Sequence, residues 1–301
     1  MVRLCNWVGE VVLSLPALHR LESAGYELHL YGKSWAPALL EGTGWPVTVR
    51  RGSLRETAAQ LRSLRQKLNN SASALLLTNS FASALETRLA GFAPSGYARE
   101  GRSLLLHHAY HQPSLPHAAH AYWHLAGCFL GTEEPFPASL GWTPSDSQRT
   151  QAQTLLSQHG LSARSFVVLC PFSGPDDREN RKVWPRFKEL TTALHIAGMP
   201  VILCPGPGEV AAAATLASNA ICLPDIDLGV YGAIFELAHS VVANDTGPGH
   251  LAAAAGARLI SLYGPQSVAA WTPIGANVQL FHDASKWPTA ESVAAAALAT
   301  D

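Results

Sequence analysis

The residues with the most chemical promise sit in the run 241–265, VVANDTGPGHLAAAAGARLISLYGP. It reads as an apolar strand, a Gly-rich turn, a small-residue helix, a second apolar strand and a Gly-Pro turn. Asp245 and Thr246 fall where the strand gives way to the helix, so either can cap the free N–H groups of that helix. Those N–H groups and the helix dipole both face the turn, which makes it a site for an anion. Gly247 and Gly249 let the backbone approach a ligand closely and adopt positive φ if required. A capped βαβ crossover with no ligand has the same outline. A second loop, 171–186, carries Ser173, Asp176, Asp177, Arg178, Arg181, Lys182 and Arg186 ahead of a helix. Positive charge at a helix N-terminus is unfavourable unless an anion balances it, so this loop reads as an anion site.

Two further groups have chemical potential. Glu10 follows a short strand and opens a helix, where open α/β sheets place ligands; a first-turn carboxylate favouring the helix dipole would look the same. Gly206, Gly208 and Ala211 have the G-x-G-x-x-A spacing, between a strand and a helix, with Asp225 and Asp227 at about the distance of a ribose-binding acid. That pattern suggests an NAD-dependent oxidoreductase, although Pro207 interrupts it. His120, His124 and Cys128 recur on one helix face in a cluster that includes His107, His108, His111 and His117. Three such ligands could hold zinc, but no carboxylate lies nearby to orient the imidazoles. They read instead as core and helix-surface histidines. Gly32-Lys33-Ser34 mimics the end of a P-loop, but position 27 is Glu rather than Gly, so that reading is rejected.

The elements that must position these residues alternate. Residues 2–18 read as a short strand, a loop and a helix that Pro16 should kink or interrupt. ELHLYG is a strand, SLRETAAQLRSLRQKL an amphipathic helix with a basic outer face, and ALLLTNS a buried strand. Asn79 and Ser80 follow that strand and start another helix. Residues 132–146, rich in Pro, Thr and Ser, form a linker, and a helix over 150–160 opens the second half. SFVVLC is a buried strand, and residues 231–239 and 288–298 are helices. Such alternation predicts parallel sheets flanked by helices.

Composition narrows the class. With 301 residues and 48% hydrophobic content, the chain can bury a large core and favours two domains. A net charge of -1 gives no basic field for nucleic acid. Five cysteines without a CxxC, three of them in or beside apolar strands, read as reduced thiols of a cytosolic protein. Residues 1–18 hold Arg3, Asn6, Gly9 and Glu10 where a signal peptide needs an apolar core. No uncharged apolar run reaches membrane-spanning length, so any membrane contact would be peripheral.

The turn DTGPGHLAAAAG followed by LISLYGP resembles the signature of glycosyltransferase family 9, the bacterial lipopolysaccharide heptosyltransferases. Partial matches run through most of the chain. The stretch around WVGE-VV resembles the family's W-V-G-D segment, whose Asp serves as catalytic base, so the resemblance gives that role to Glu10. LLLTNSF and the run to Arg102 resemble its N-S-F segment, which implies that Asn79, Ser80, Arg99 and Arg102 face an anionic acceptor. HAAHAYWHLAG resembles the helix ending the family's first domain. The strand into Lys182-Val-Trp-Pro resembles its K-x-W-P segment, which implies that Lys182, with Ser173, meets the donor diphosphate. The stretch 206–209 resembles the family's Gly-rich turn and following Glu, which implies that Glu209 meets the nucleotide ribose.

The resemblance implies the GT-B fold: two Rossmann-like domains with parallel sheets facing across a cleft, residues 1–143 for the acceptor and 144–301 for the donor. Its last helix could cross back to the first domain. It implies an inverting, metal-independent transfer of heptose from ADP-heptose to a lipopolysaccharide inner-core acceptor. The donor contacts would be Ser173, Lys182, Glu209, Asp245, Thr246, Gly247 and His250, with no cofactor and no metal. Asp225-Ile-Asp227 also spells the D-x-D metal site of a different glycosyltransferase architecture, but it precedes a helix, so capping is the better account. The expected location is the cytoplasm, at the inner face of the membrane if lipid is contacted. The oxidoreductase, and a family relative that acts on a protein acceptor or is non-catalytic, stay open as alternatives.

Overall fold

The computed structural model describes residues 1–68, 73–172, 183–217, 219–264, 269–283 and 285–300. The chain divides into two compact units, Met1–Gly141 and Trp142–Asp301. The strands of the first are β1 (Val2–Arg3), β2 (Leu30–Gly32), β3 (Val47–Val49), β4 (Ser73–Leu76), β5 (Ala93–Tyr97) and β6 (His108–Tyr110). Its helices are α1 (Val8–Ser23), α2 (Ala36–Leu40), α3 (Leu54–Lys67), α4 (Phe81–Leu89) and α5 (Ala118–Leu130). The second unit opens with α6 (Asp146–Gln158), and its strands are β7 (Val167–Cys170), β8 (Val201–Leu203), β9 (Ile221–Cys222), β10 (Ser240–Asn244), β11 (Leu259–Tyr263) and β12 (Val278–His282). Between and after them come α7 (Phe187–Ile196), α8 (Val210–Leu216), α9 (Leu228–Leu237), α10 (Gly247–Ala254) and α11 (Ala290–Leu298).

Strand order is β3-β2-β1-β4-β5-β6 in one sheet and β12-β11-β10-β7-β8-β9 in the other. The recorded strand pairs within each sheet are parallel, such as Val2 with Leu30 and Leu75, and Val241 with Val168 and Leu259. Each unit thus repeats the doubly wound order in which the chain reverses direction at one internal pair. Ligands of such sheets bind beyond the carboxyl ends of that pair. In the first unit the pair is β1 and β4, which lead to Glu10 and to Asn79 and Ser80. In the second it is β7 and β10, which lead to the 173–182 loop and to Asp245. Topology alone therefore brings Glu10, Asn79 and Ser80 to one switch point and Asp245 and Thr246 to the other.

The strands are short, and the inner ones, such as β7, β10 and β11, are buried on both faces, as crossover helices require. In the second unit Val167, Leu169, Val242, Ile260 and Leu262 form one core with Trp184, Phe187 and Leu190 from the α7 side and Val293 from α11. α11 packs against α7 and the β10 and β11 strands of its own unit.

Three expectations about elements need correcting. α1 continues through Pro16 instead of breaking there. Residues 11–18 are all buried, so tertiary packing outweighs the roughly 3 kcal/mol that an interior proline costs a helix. The expected strand 27–32 shrinks to Leu30–Gly32. α6 starts at Asp146, inside the expected linker, because Ser145 and Gln148 form a capping box that fixes its first turn.

Candidate active site

At the first switch point the backbone leaves β1 through Leu4, Cys5 and Asn6 and enters α1 with Trp7 at its N-cap position. Glu10 is the third helical residue. From there a glutamate can reach back to free N–H groups of the helix start, and the N–H groups of Trp7 and Asn6 do lower its pKa. Burial has the larger effect and pushes the pKa upward. The Tyr122 hydroxyl, from α5, donates to Glu10 Oε1 at 3.3 Å and also lowers it. Behind it the Cys5 thiol lies 3.4 Å from the same hydroxyl and 3.6 Å from the Leu77 carbonyl. Glu10 is therefore a half-buried carboxylate held on one side by protein donors, with its net pKa raised toward the range of a working base.

The loop after β4 shows how the expected acceptor residues divide. Ser80 caps α4, its hydroxyl accepting from the Ser83 N–H at 3.3 Å. Asn79 Oδ1 accepts from Arg102 at 3.2 Å. Arg102 departs from the expectation of an acceptor contact. It is fully buried, donating to the Tyr97 carbonyl at 2.9 Å, to the Thr78 carbonyl and to Asn79, and burial lowers its pKa to about 10. An arginine whose guanidinium is spent on three groups of the β4 and β5 ends is a brace for that loop. Arg99 is exposed and bonds Gln112 at 3.0 Å.

At the second switch point Thr246 takes the N-cap position of α10 without a side-chain cap bond, its hydroxyl lying 3.4 Å from the Asn244 carbonyl. Of the two residues expected to cap, Thr246 therefore does not do so through its side chain. Asp245 Oδ1 lies 3.2 Å from the Tyr263 hydroxyl, whose one proton is shared with the Trp271 carbonyl at 3.1 Å. Burial first, and then the Asp245 carboxylate, raises the Tyr263 pKa, which keeps this hydroxyl a donor. Neither Gly247 nor Gly249 adopts positive φ. Gly249 serves close packing inside the protein, since a Cβ there would sit 3.2 Å from Ala243 Cβ and the Asn244 carbonyl. His250 is buried in the first turns of α10. Ser173 and Lys182, with Asp176, Asp177, Arg178 and Arg181, lie outside the described residues. Arg186 pairs with Glu189 at 3.2 Å.

Glu209 accepts from the Gly206 N–H at 2.8 Å and occupies the N-cap position of α8. Of the D-x-D pair, Asp227 caps α9 through bonds of 2.9 Å from the N–H groups of Gly229 and Val230. The histidines take separate roles, although His124 lies 3.7 Å from Cys128. His117 caps α5, His120 stacks on Phe136, and His124 bonds the Tyr97 hydroxyl at 2.9 Å. Among the described residues no group of three or more His, Cys, Asp or Glu could hold a metal ion.

Sequence reading missed three residues. Tyr122 and Tyr263 each bond a candidate carboxylate. Asn244, fully buried, accepts from the Trp184 N–H at 3.0 Å and donates to the Pro171 carbonyl at 2.6 Å, so it ties together the two ends of the 173–182 loop. Tyr263 and Asn244 stood inside the recognised run but looked like strand residues. Tyr122 stood in the HAAHAYWHLAG helix, which resembles the family's H-x-x-x-x-Y-L segment, but was read only as part of the helix that ends the first domain.

The sequence model of glycosyltransferase family 9 (heptosyltransferase) matches residues 61–298. Lipopolysaccharide heptosyltransferase 2 of Escherichia coli (strain K12) is 27% identical over 291 residues, spanning 87% of this chain and 81% of that protein. The solved structure of E. coli ADP-heptose lps heptosyltransferase II superposes with a TM-score of 0.78 at 23% identity, covering 93% of this chain and 89% of that one. E. coli heptosyltransferase WaaC with ADP does so at 0.76 and 22%, covering 97% and 96%. These structural likenesses show the GT-B fold, with one Rossmann-like sheet in each unit.

Proposed function

The chain belongs to glycosyltransferase family 9, and on that premise we propose that it moves a heptose from ADP-heptose to a hydroxyl of a lipopolysaccharide inner-core acceptor. The observation that carries the reading is Glu10: a half-buried carboxylate with a raised pKa, on the turn that leaves one strand of the switch-point pair. A sugar hydroxyl is a poor nucleophile at neutral pH, so a base must take its proton as the new bond forms. In a single inverting displacement the acceptor oxygen bonds the anomeric carbon, the anomeric carbon–diphosphate bond breaks, ADP leaves, and the proton passes to Glu10. The related proteins named above support the heptose and the lipopolysaccharide.

In this reading the second unit binds the donor. The free N–H groups at the start of α10, uncapped by Thr246, take the diphosphate together with Gly247, Ser173 and Lys182. Asp245 and His250 flank that turn. Glu209 lies beside the Gly-rich turn for the ribose, with one carboxylate oxygen already bonded to Gly206. Asn79 and Arg99 remain as acceptor contacts. The reaction uses no divalent metal, a reading supported by the engagement of Asp227 as a helix cap. The oxidoreductase alternative gives way to the family assignment.

The test is product formation. Incubated with ADP-heptose and a Kdo-bearing lipid A acceptor, the protein should yield a product heavier by one heptose, in excess EDTA as well as without it. Absence of product with this pair, while another nucleotide sugar is consumed, would overturn the donor. Loss of product in EDTA, restored by magnesium or manganese, would overturn the metal-free route.

A further inference from the structure

Tyr122 belongs to α5 and is buried, yet its hydroxyl reaches a carboxylate 112 positions away in sequence. A phenol has one proton to give, and an ionised carboxylate can only accept, so the proton of the 3.3 Å contact lies toward Glu10. The phenol oxygen then keeps its lone pairs for the Cys5 thiol at 3.4 Å. The thiol has one proton, shared between that oxygen and the Leu77 carbonyl at 3.6 Å; Cys5 and Leu77 follow β1 and β4, the adjacent strands of the switch-point pair. The relay therefore runs from the sheet through Cys5 and Tyr122 to Glu10. Burial pushes both the thiol and the phenol upward in pKa, so neither ionises near neutral pH and the donor stays a donor.

We propose that Tyr122 is the positioning residue for the Glu10 carboxylate, anchored on the sheet through Cys5, and that it fixes the face Glu10 presents to the acceptor hydroxyl. The inference rests on Glu10 being the base. A carboxylate offers about four lone-pair sites. Tyr122 occupies one, and the N–H groups of Trp7 and Asn6 at the helix start favour the charged form, so lone pairs remain for the incoming hydroxyl. A glutamate has one more rotatable bond than an aspartate, so its carboxylate wanders further unless it is tied. The groups facing Glu10 are accounted for by element. α5 contributes Tyr122, and the end of β1 contributes Cys5. Arg3, which also acts on Cys5, turns its guanidinium to the carbonyls of Leu4 and Tyr31 and to Asn6.

The experiment removes only the hydroxyl. Tyr122→Phe keeps the ring in its place, so the melting temperature should change little. With protein carrying ¹³C-carboxyl glutamate, the Glu10 resonance is the one absent from Glu10→Gln, and its titration midpoint needs neither donor nor acceptor. That midpoint should rise by about one pH unit, because a donor that favoured the charged form is gone. In transfer assays kcat should fall about tenfold, with its acidic limb moved to higher pH and the KM for ADP-heptose unchanged. Cys5→Ala should move the midpoint in the same direction by less, and it decides the matter if Tyr122→Phe does not fold. An unmoved midpoint overturns the proposal. So does a wild-type kcat and pH profile in Tyr122→Phe while Glu10→Gln is inactive. If no heptose is transferred by wild type but the midpoint still rises, the transfer reading fails and the hold of Tyr122 on Glu10 stands.

Discussion

The two switch points solve one problem in two ways. Each places a carboxylate where a strand turns into a helix, and each ties that carboxylate with a buried tyrosine. Asp245 receives its bond from Tyr263, 18 positions along and on the neighbouring strand β11. Glu10 receives its bond from Tyr122, 112 positions along and on the last helix of its unit. The Asp245 arrangement is contained within one βαβ unit. The Glu10 arrangement needs the whole unit, with α1 packed on α5. A binding turn can be local. A base whose pKa must be raised needs burial, and burial at that place comes from distant chain.

The comparison breaks first at Glu10. Glu10→Gln should lower kcat by about 10²–10⁴, the usual worth of general-base catalysis. ADP-heptose affinity, read by calorimetry, should not follow, since the proposed donor contacts lie in the second unit. Glu10→Asp should retain part of the rate. Turnover of Glu10→Gln near the wild-type rate would place the base elsewhere.

The second unit should show the opposite pattern. Tyr263→Phe takes the hydroxyl from Asp245 and should weaken ADP-heptose binding by about tenfold, equivalent to about 1.4 kcal/mol. The pH profile of kcat should keep its shape. A shifted profile with unchanged donor affinity would reverse the roles given to the two turns.

The same contrast explains what the sequence let one read. The alternation of strands and helices fixed the sheet class, and the turns after β1 and β10 stood out because a carboxylate beside glycine between a strand and a helix is a local pattern. Pairings across the unit were not legible. Arg99 and Arg102 looked alike in sequence, two arginines three apart, yet one is exposed and the other is consumed by Tyr97, Thr78 and Asn79. Pro16 looked like a break because a local rule applies to isolated helices; here α1 is held on both sides of it by buried contacts. Gly249 looked like ligand space and proves to be the room that α10 needs against β10.

That last point gives a smaller effect. Gly249→Ala puts a methyl 3.2 Å from Ala243 Cβ and the Asn244 carbonyl. Overpacking of this kind costs about 1–3 kcal/mol, and each kcal/mol lowers the melting temperature of a domain this size by about 2–4 °C. Donor affinity should fall with it, because Asn244 also holds Pro171 and Trp184. An unchanged melting temperature would show that β10 and α10 have slack, and that the glycine serves the ligand after all.

The smallest expected effect separates the two meanings of a first-turn glutamate. The Glu10 pKa is raised above its ordinary value of 4.5, burial being the main cause. The native state therefore holds that proton more tightly than the unfolded chain does. The stabilisation from this group is complete below about pH 4.5 and is lost as pH rises through the raised native value. Glutamine is neutral throughout and escapes that loss. Glu10→Gln should accordingly gain in melting temperature relative to wild type between pH 4 and pH 7, by a small margin. A carboxylate kept as a helix cap would behave in the opposite sense. Its charge would interact favourably with the helix dipole, and the glutamine variant would fall behind wild type as pH rises. Differential scanning calorimetry of the pair at the two pH values distinguishes a carboxylate held at a cost in stability for its basicity from one kept to finish a helix.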